Sequence, residues 1–244
     1  MQRDHFWYRG RYKFIFYSAT KILKKQKANS KILEIGGGTG SWLQYILQNE
    51  KNESQKKYYL SDPLLQNNII RKLKNTDRIQ TIKVNLNQRL RKKWNVIFLL
   101  DVIEHIENDI KACRNIANAL LPDGYLILTA PALKFFWSKN DQFGGHFRRY
   151  SKEDLRALAK KSGMKLVECR YFMFFLSPFF WMARRQLSFA SSKKKVQDLI
   201  YTQNFKLPKT INKILKIVFC LETPIGHLIQ FPWGTSIYGV FRKL

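Results

Sequence analysis

The chain has 244 residues, 45% of them hydrophobic and 25% charged, which suits one large α/β domain or two small ones and excludes a disordered chain. No repeat of about 20–50 residues marks a solenoid, and the longest run without a charge or a strong breaker cluster, Tyr171–Ala183, is well short of the ~20 residues a membrane span needs and is interrupted by Pro178. Lys and Arg number 44 against 17 Asp and Glu, and the net charge of +27 divides as +15 over residues 1–150 and +12 over 151–244. An excess spread in this way fits a generally anionic partner surface better than a single nucleic-acid-reading arm.

The three cysteines, Cys113, Cys169 and Cys220, are odd in number and widely spaced, so neither a disulfide framework nor a metal site is expected. The first residues, Met1 to Trp7, lack the apolar stretch of a secretory signal, and a cytoplasmic protein is the expectation.

In chain order, residues 1–30 are predicted to form a helical extension. Lys31–Ile35 is a short apolar run closed by glycines and reads as a buried strand, followed by a helix over Ser41–Gln48. A second strand is expected at Lys57–Leu60, a helix from Pro63 to Lys74, and a third, alternating strand at Ile79–Val84. Val96–Leu100 is fully apolar, a fourth strand ending at Asp101. A helix over Asn108–Leu121 is stopped by Pro122, Asp123 and Gly124, and Tyr125–Thr129 is a fifth strand. Ser151 and Asp154 form a capping-box pattern opening a helix to about Ser162, with Gly163 just past its end and a sixth strand at Lys165–Arg170. Residues 171–235 break the alternation. They hold the aromatic run, the Ser191–Lys195 cluster and an apolar-periodic helix over Ile211–Leu221, and they read as an insertion before a last strand at Ser236–Arg242. Strands and helices alternating at this spacing imply a mostly parallel sheet covered on both faces. The expected organisation is thus a lid over 1–30, a core over 31–170, an aromatic and basic insertion over 171–235, and a closing strand of the core within 236–244.

Between the first strand and its helix lies Glu34-Ile35-Gly36-Gly37-Gly38-Thr39-Gly40. Glycines there permit a tight turn and let backbone N–H groups approach a ligand at the helix N-terminus. The dinucleotide fingerprint G-x-G-x-x-G fails, because its last position falls on Ser41 or Leu43, and a phosphate loop fails because no Lys-Ser/Thr pair follows Gly40. What fits is E-x-G-G-G-x-G.

That pattern resembles the first motif of class I S-adenosylmethionine-dependent methyltransferases, whose Rossmann-like fold has a seven-stranded, mostly parallel sheet. Asp62 after the second strand, Asp101-Val102-Ile103-Glu104-His105-Ile106 after the fourth, and Leu121-Pro122-Asp123-Gly124 before the fifth sit where that family has its later motifs. His5 to Arg11, Gly145 to Ser151 and Pro232 to Ser236 are similar to a bacterial and archaeal subgroup that often accompanies glycan- and lipid-assembly enzymes. The resemblance implies S-adenosylmethionine as cofactor. It places Gly36, Gly38 and Gly40 against it, Glu34 towards its amino group, Asp62 on its ribose hydroxyls, and Asp101 at the sheet edge. Where relatives carry an Asp for the adenine amino group, this chain offers Asn85 or Asn87, whose carbonyl accepts the same bond.

For the acceptor, His105 and His146 are the candidate bases, imidazole being suited to proton transfer near neutral pH. Arg9, Arg148, Arg149 and Tyr150 are candidate contacts for an anionic acceptor, since arginine forks match phosphate and carboxylate. The expected reaction is methyl transfer to an anionic acceptor such as a glycan, a lipid-linked glycan or a lipid intermediate. Residues 171–189, aromatic-rich and flanked by Arg170, Arg184 and Arg185, read either as plain core or as a peripheral contact with the inner face of an anionic membrane. An RNA methyltransferase and a non-catalytic cofactor-binding protein are the alternatives, but no appended RNA-binding module is evident.

Overall fold

The computed structural model describes residues 5–50, 55–63, 65, 78–188 and 208–244. The helix expected over Pro63–Lys74 and the Ser191–Lys195 cluster therefore lie largely or wholly outside the described residues.

Seven strands form one sheet in the order β3-β2-β1-β4-β5-β7-β6. They are β1 (Lys31–Ile35), β2 (Lys57–Ser61), β3 (Ile79–Thr81), β4 (Trp94–Leu100), β5 (Leu120–Pro131), β6 (Met164–Phe172) and β7 (Ser236–Lys243). Strands β1 to β5 pair in parallel, and β7 runs antiparallel to both β5 and β6. This is the expected Rossmann-like α/β architecture.

The buried, β-branched and aromatic residues of β4 show why the sheet needs cover on both sides. Val96, Phe98 and Leu100 join a core with Phe14, Ile32 and Trp42, while Ile97 and Leu99 join another with Leu33, Cys113 and Ile116. This period-two alternation sends successive side chains to opposite faces. The first core is roofed by α1 (Phe6–Lys25), α2 (Ser41–Asn49) and α7 (Lys209–Leu228), the second by α3 (Asp109–Ala119) and α5 (Lys152–Lys161).

Helix α1 lies against α7. Phe6 N donates to Asn212 Oδ1 at 2.8 Å, and a Cβ on Gly10 would sit 2.2 Å from Phe219 Cδ1, so glycine sets how closely the two helices approach. Between β6 and β7 the chain forms α6 (Ser177–Ser188) and α7.

Several elements differ from the sequence reading. The third strand stops at Thr81, although Ile82 N still donates to Leu60 O; by Val84 the partner is the Ser61 hydroxyl, which replaces the ladder carbonyl. Helix α3 ends at Ala119, and Leu120 already pairs with Trp94; the Pro-Asp-Gly turn, with Asp123 at φ 59°, is an irregularity inside β5. Helix α7 is longer than expected and runs through Pro224 to Leu228. The short α4 (Lys139–Phe143) and most of α6 had no sequence counterpart. The Ser151–Asp154 capping box forms as expected, with both reciprocal bonds present.

Candidate active site

The strand order reverses between β1 and β4: β2 and β3 extend one way from β1, β5 and beyond extend the other way from β4. In open α/β sheets the crevice at the carboxyl ends of such neighbours is the place for a ligand. Here it receives the glycine loop after β1 and Asp101 after β4.

The glycines are required by backbone geometry. Gly36, Gly38 and Gly40 have φ of 72°, 53° and 69°, the left-handed region that costs side-chain-bearing residues about 1–2 kcal/mol. A Cβ on Gly36 would come 2.3 Å from Val102 Cγ2, and one on Gly37 2.4 Å from Glu34 Cδ. Asp62 Oδ2 accepts from Gly38 N at 2.7 Å, tying the loop to the end of β2. Gly40 caps α2 without a side chain, and of the first-turn N–H groups that of Leu43 is taken up by the Glu34 carboxyl.

Below the loop is a cavity of about 210 Å³, lined by Tyr8, Arg11 and Tyr12 of α1, Glu34, the residues from Gly36 to Thr39, Ser41 and Leu100. Glu34 is 3% exposed, and its Oε2 has no hydrogen-bond partner among the described residues. Burial pushes its carboxyl up to about 8, against the opposing pull of the Arg11 guanidinium and a bond from Leu43 N. An unpaired buried carboxylate oxygen in a ligand-sized cavity is a vacant acceptor. Tyr12 hydroxyl lies 2.7 Å from Ser41 Oγ, and burial raises its pKa to about 12, so it stays protonated.

Arg11 closes the cavity on the β4 side. Its two terminal nitrogens reach Asp101 Oδ2 at 2.9 Å and Thr129 Oγ1 at 2.8 Å, and Thr129 in turn donates to Asp101 Oδ1 at 2.8 Å. Asp101 itself has φ 53°. The turn Ile103–His105 follows, with Glu104 1% exposed, its Oε2 also without a partner, and its carboxyl raised well above the ordinary range by burial and by the Asp101 charge.

A second loop docks on this turn, Phe147 N donating to Glu104 O at 2.8 Å. Its hub is Asp141, fully buried, which holds Arg149 through Nε at 2.9 Å and Nη2 at 3.0 Å, and His146 Nδ1 at 3.0 Å. Burial alone would raise the Asp141 carboxyl, but the His146 bond and the Arg149 charge hold it down at about 2. The His105 and His146 rings meet edge to face with centroids 4.7 Å apart, and burial, then the neighbouring His146, lowers the His105 pKa.

The structure thus brings Glu34, Gly36 and Gly38 to one cavity, Gly40 to the loop beside it, and Asp62 and Asp101 to its borders. His105 and His146 lie together beyond Asp101. Asn85 does not line this cavity. It is exposed, accepts from Asn87 N at 2.9 Å, and borders a separate basic cleft with Lys83, Arg89 and Lys92. Arg9 is exposed and near Tyr45, whereas Arg11, three residues before Phe14 on the buried face of α1, lines the cavity.

The expected acceptor cluster is otherwise engaged. Arg149 is buried against Asp141 and the Ala132 carbonyl, Tyr150 hydroxyl donates to Asp109 Oδ2 at 2.9 Å, and Arg148 pairs with the same Asp109 oxygen at 2.8 Å. These side chains fix the loop because buried charges need partners. Tyr12, Thr129 and Asp141 were not expected as part of the site. Two signals for them exist in the sequence: Tyr8, Arg11 and Tyr12 share one helical face, and Ser138 to Asp141 repeats the S-x-x-D pattern of Ser151 to Asp154.

Residues 7–169 match a family model described as a methyltransferase domain. No curated protein matches the sequence at a significant level. Among solved structures, a putative sarcosine dimethylglycine methyltransferase from Galdieria sulphuraria superposes with a TM-score of 0.61 at 15% identity, over 96% of this chain and 85% of that one. A putative methyltransferase from Bacillus halodurans gives 0.55 at 14%, over 93% and 99%. A Haemonchus contortus phosphoethanolamine N-methyltransferase, solved with phosphomonomethylethanolamine and S-adenosylhomocysteine, gives 0.54 at 17%, over 96% of this chain and 56% of that one.

Proposed function

The chain belongs to this methyltransferase-domain family and is an S-adenosylmethionine-dependent methyltransferase; from that premise we propose that its acceptor is an anionic glycan, lipid-linked glycan or lipid intermediate, met at a membrane surface. The observation that carries the membrane part is on α7. Ile211, Ile214, Ile217, Leu221, Ile225 and Leu228 recur at helical spacing and are 39–85% exposed, while Leu215, Phe219 and Gly226 face the fold. With Lys209, Lys213 and Lys216 on the same helix, this is the composition of a helix lying in an anionic interface. Phe135, stacked on Trp181, together with Phe175, Phe179 and Met182, adds exposed apolar surface around α6. Among the described residues no helix is long and apolar enough to cross a membrane, so the contact proposed is peripheral.

The cofactor supplies an electrophilic methyl group on a sulfonium when bound. In this reading the N–H groups at the start of α2, with the vacant Glu34 Oε2, hold its polar end. Asp62 takes ribose hydroxyls while steadying Gly38. Arg11 and Asp101 fix the lid helix over the sheet edge, which excludes water and aligns the acceptor for in-line attack; positioning of this kind accounts for much of the rate in such transfers. His105 and His146 face the acceptor side.

Vesicle co-sedimentation tests the membrane part. Wild type should pellet with anionic vesicles, more weakly at high salt and little with neutral ones. A variant carrying Ile214→Glu, Ile217→Glu and Leu221→Glu should remain in the supernatant with its S-adenosylhomocysteine affinity unchanged. Equal pelleting of variant and wild type would sink the proposal. Labelled methyl donor incubated with a membrane extract should then leave label in the lipid-soluble or lipid-linked fraction.

A further inference from the structure

His105 and His146 come from separate loops, and neither has a metal-ligand partner at motif spacing in the sequence. The fold nevertheless places one ring nitrogen of each within 4.8 Å of the other and of a Glu104 carboxylate oxygen. We propose that Glu104, His105 and His146 bind one divalent transition-metal ion, zinc by the donor set.

The neighbours of these three side chains support the assignment. Glu104 is buried, and its Oε2 lacks any partner among the described residues. A carboxylate oxygen is seldom left so unless something else pairs with it. His146 Nδ1 bonds to Asp141 Oδ1 at 3.0 Å, and Asp141 is itself clamped by Arg149. A carboxylate on one ring nitrogen fixes the tautomer and makes the other nitrogen a better ligand, the arrangement found around metal-bound histidines. His105 bonds the backbone of Gly144 and Gly145, the second common way to orient a ligating imidazole.

A Cβ on Gly144 would lie 3.1 Å from His146 Nε2. His105 is exposed and the His146 side chain is 14% exposed, which gives an entry path and an open coordination position. Two imidazoles, one carboxylate and an open position are the donor set of catalytic zinc and of related first-row sites, whereas magnesium prefers oxygen ligands alone. Bond lengths of about 2.0–2.2 Å would draw the three donors closer than they now stand. The loop can close that gap, because Gly144 and Gly145, the latter at φ 70°, immediately precede His146.

An acceptor oxygen that took the remaining position would lose its proton more readily. That last step rests on the methyl-transfer reading; the binding of the ion does not.

The test uses the full chain without an affinity tag, freed of metal by chelator and titrated with Zn²⁺ by calorimetry, with Co²⁺ as a spectroscopic probe. Wild type should bind one equivalent and develop a visible d–d band with Co²⁺. His105→Ala, His146→Ala and Glu104→Gln should each weaken Zn²⁺ by tenfold or more and abolish the band. S-adenosylhomocysteine affinity, measured on the same samples, reports folding and the cofactor site separately. His105 is exposed, so its variant folds even where changes at buried Glu104 do not. Failure of wild type to bind Zn²⁺, or binding that His105→Ala and His146→Ala leave unchanged, would overturn the site whatever becomes of the methyltransferase assignment.

Discussion

Replacing Glu34 by glutamine should make the ligand-free protein more stable while weakening its cofactor site. The carboxyl is buried and titrates at about 8, against 4.5 for the ordinary group. As pH rises above 4.5 the unfolded chain releases this proton while the folded chain keeps it, so unfolding is progressively favoured until the folded group also ionises near 8. Between pH 5 and pH 8 this costs wild type roughly 4 kcal/mol of stability that a glutamine, neutral in both states, does not lose. The carboxamide oxygen can still accept from Leu43 N, and its NH₂ would replace an oxygen that already lacks a partner. Urea unfolding of both proteins at pH 5 and pH 8 measures the difference directly. The gap between Glu34→Gln and wild type should be small at pH 5 and widen to several kcal/mol at pH 8, with S-adenosylhomocysteine binding weakened by about tenfold. Parallel pH profiles would show that Glu34 is already ionised in the fold and would refute a carboxyl kept protonated by burial.

Other substitutions probe the frame around the site. Gly37→Ala drives a Cβ to 2.4 Å from Glu34 Cδ and 2.5 Å from Leu60 Cδ1, so it should destabilise by about 1–3 kcal/mol in urea unfolding and displace the Glu34 carboxyl from the cavity. Arg149→Met leaves the buried Asp141 charge without its bidentate partner and should cost about 3–5 kcal/mol, a thermal shift too large for a side chain that merely contacted acceptor. Arg11→Gln breaks the bridge to Asp101 at 2.9 Å, and faster proteolysis within α1 should report the loosened lid.

The sheet was legible because its signals are local. Apolar runs such as Val96–Leu100 can only be buried strands or helix pieces, and the glycines that follow β1 admit few backbone paths. The Ser151 cap was legible for the same reason. What escaped was set by contacts remote in sequence. Arg149 and Tyr150 looked like exposed acceptor ligands because nothing local announces buried Asp141 and half-buried Asp109, the acids that engage them. Arg11 and Arg9 differ only in which side of α1 the fold covers. The Pro-Asp-Gly turn was read as a clean boundary, but pairing of Leu120 with Trp94 draws it into β5. Residues 171–188 looked irregular since their aromatic side chains serve both β6 and a partly exposed helix, which blurs either period.

The most direct test of the cofactor site is calorimetric titration of S-adenosylhomocysteine into wild type and Asp62→Ala. Asp62 holds Gly38 N at 2.7 Å, so one substitution removes a loop tether as well as the proposed ribose contact. Binding to wild type with one site per chain, weakened by tenfold or more in Asp62→Ala, is the predicted result. Equal affinity in the two proteins, or no binding to folded wild type, would contradict the placement of the cofactor at the glycine loop.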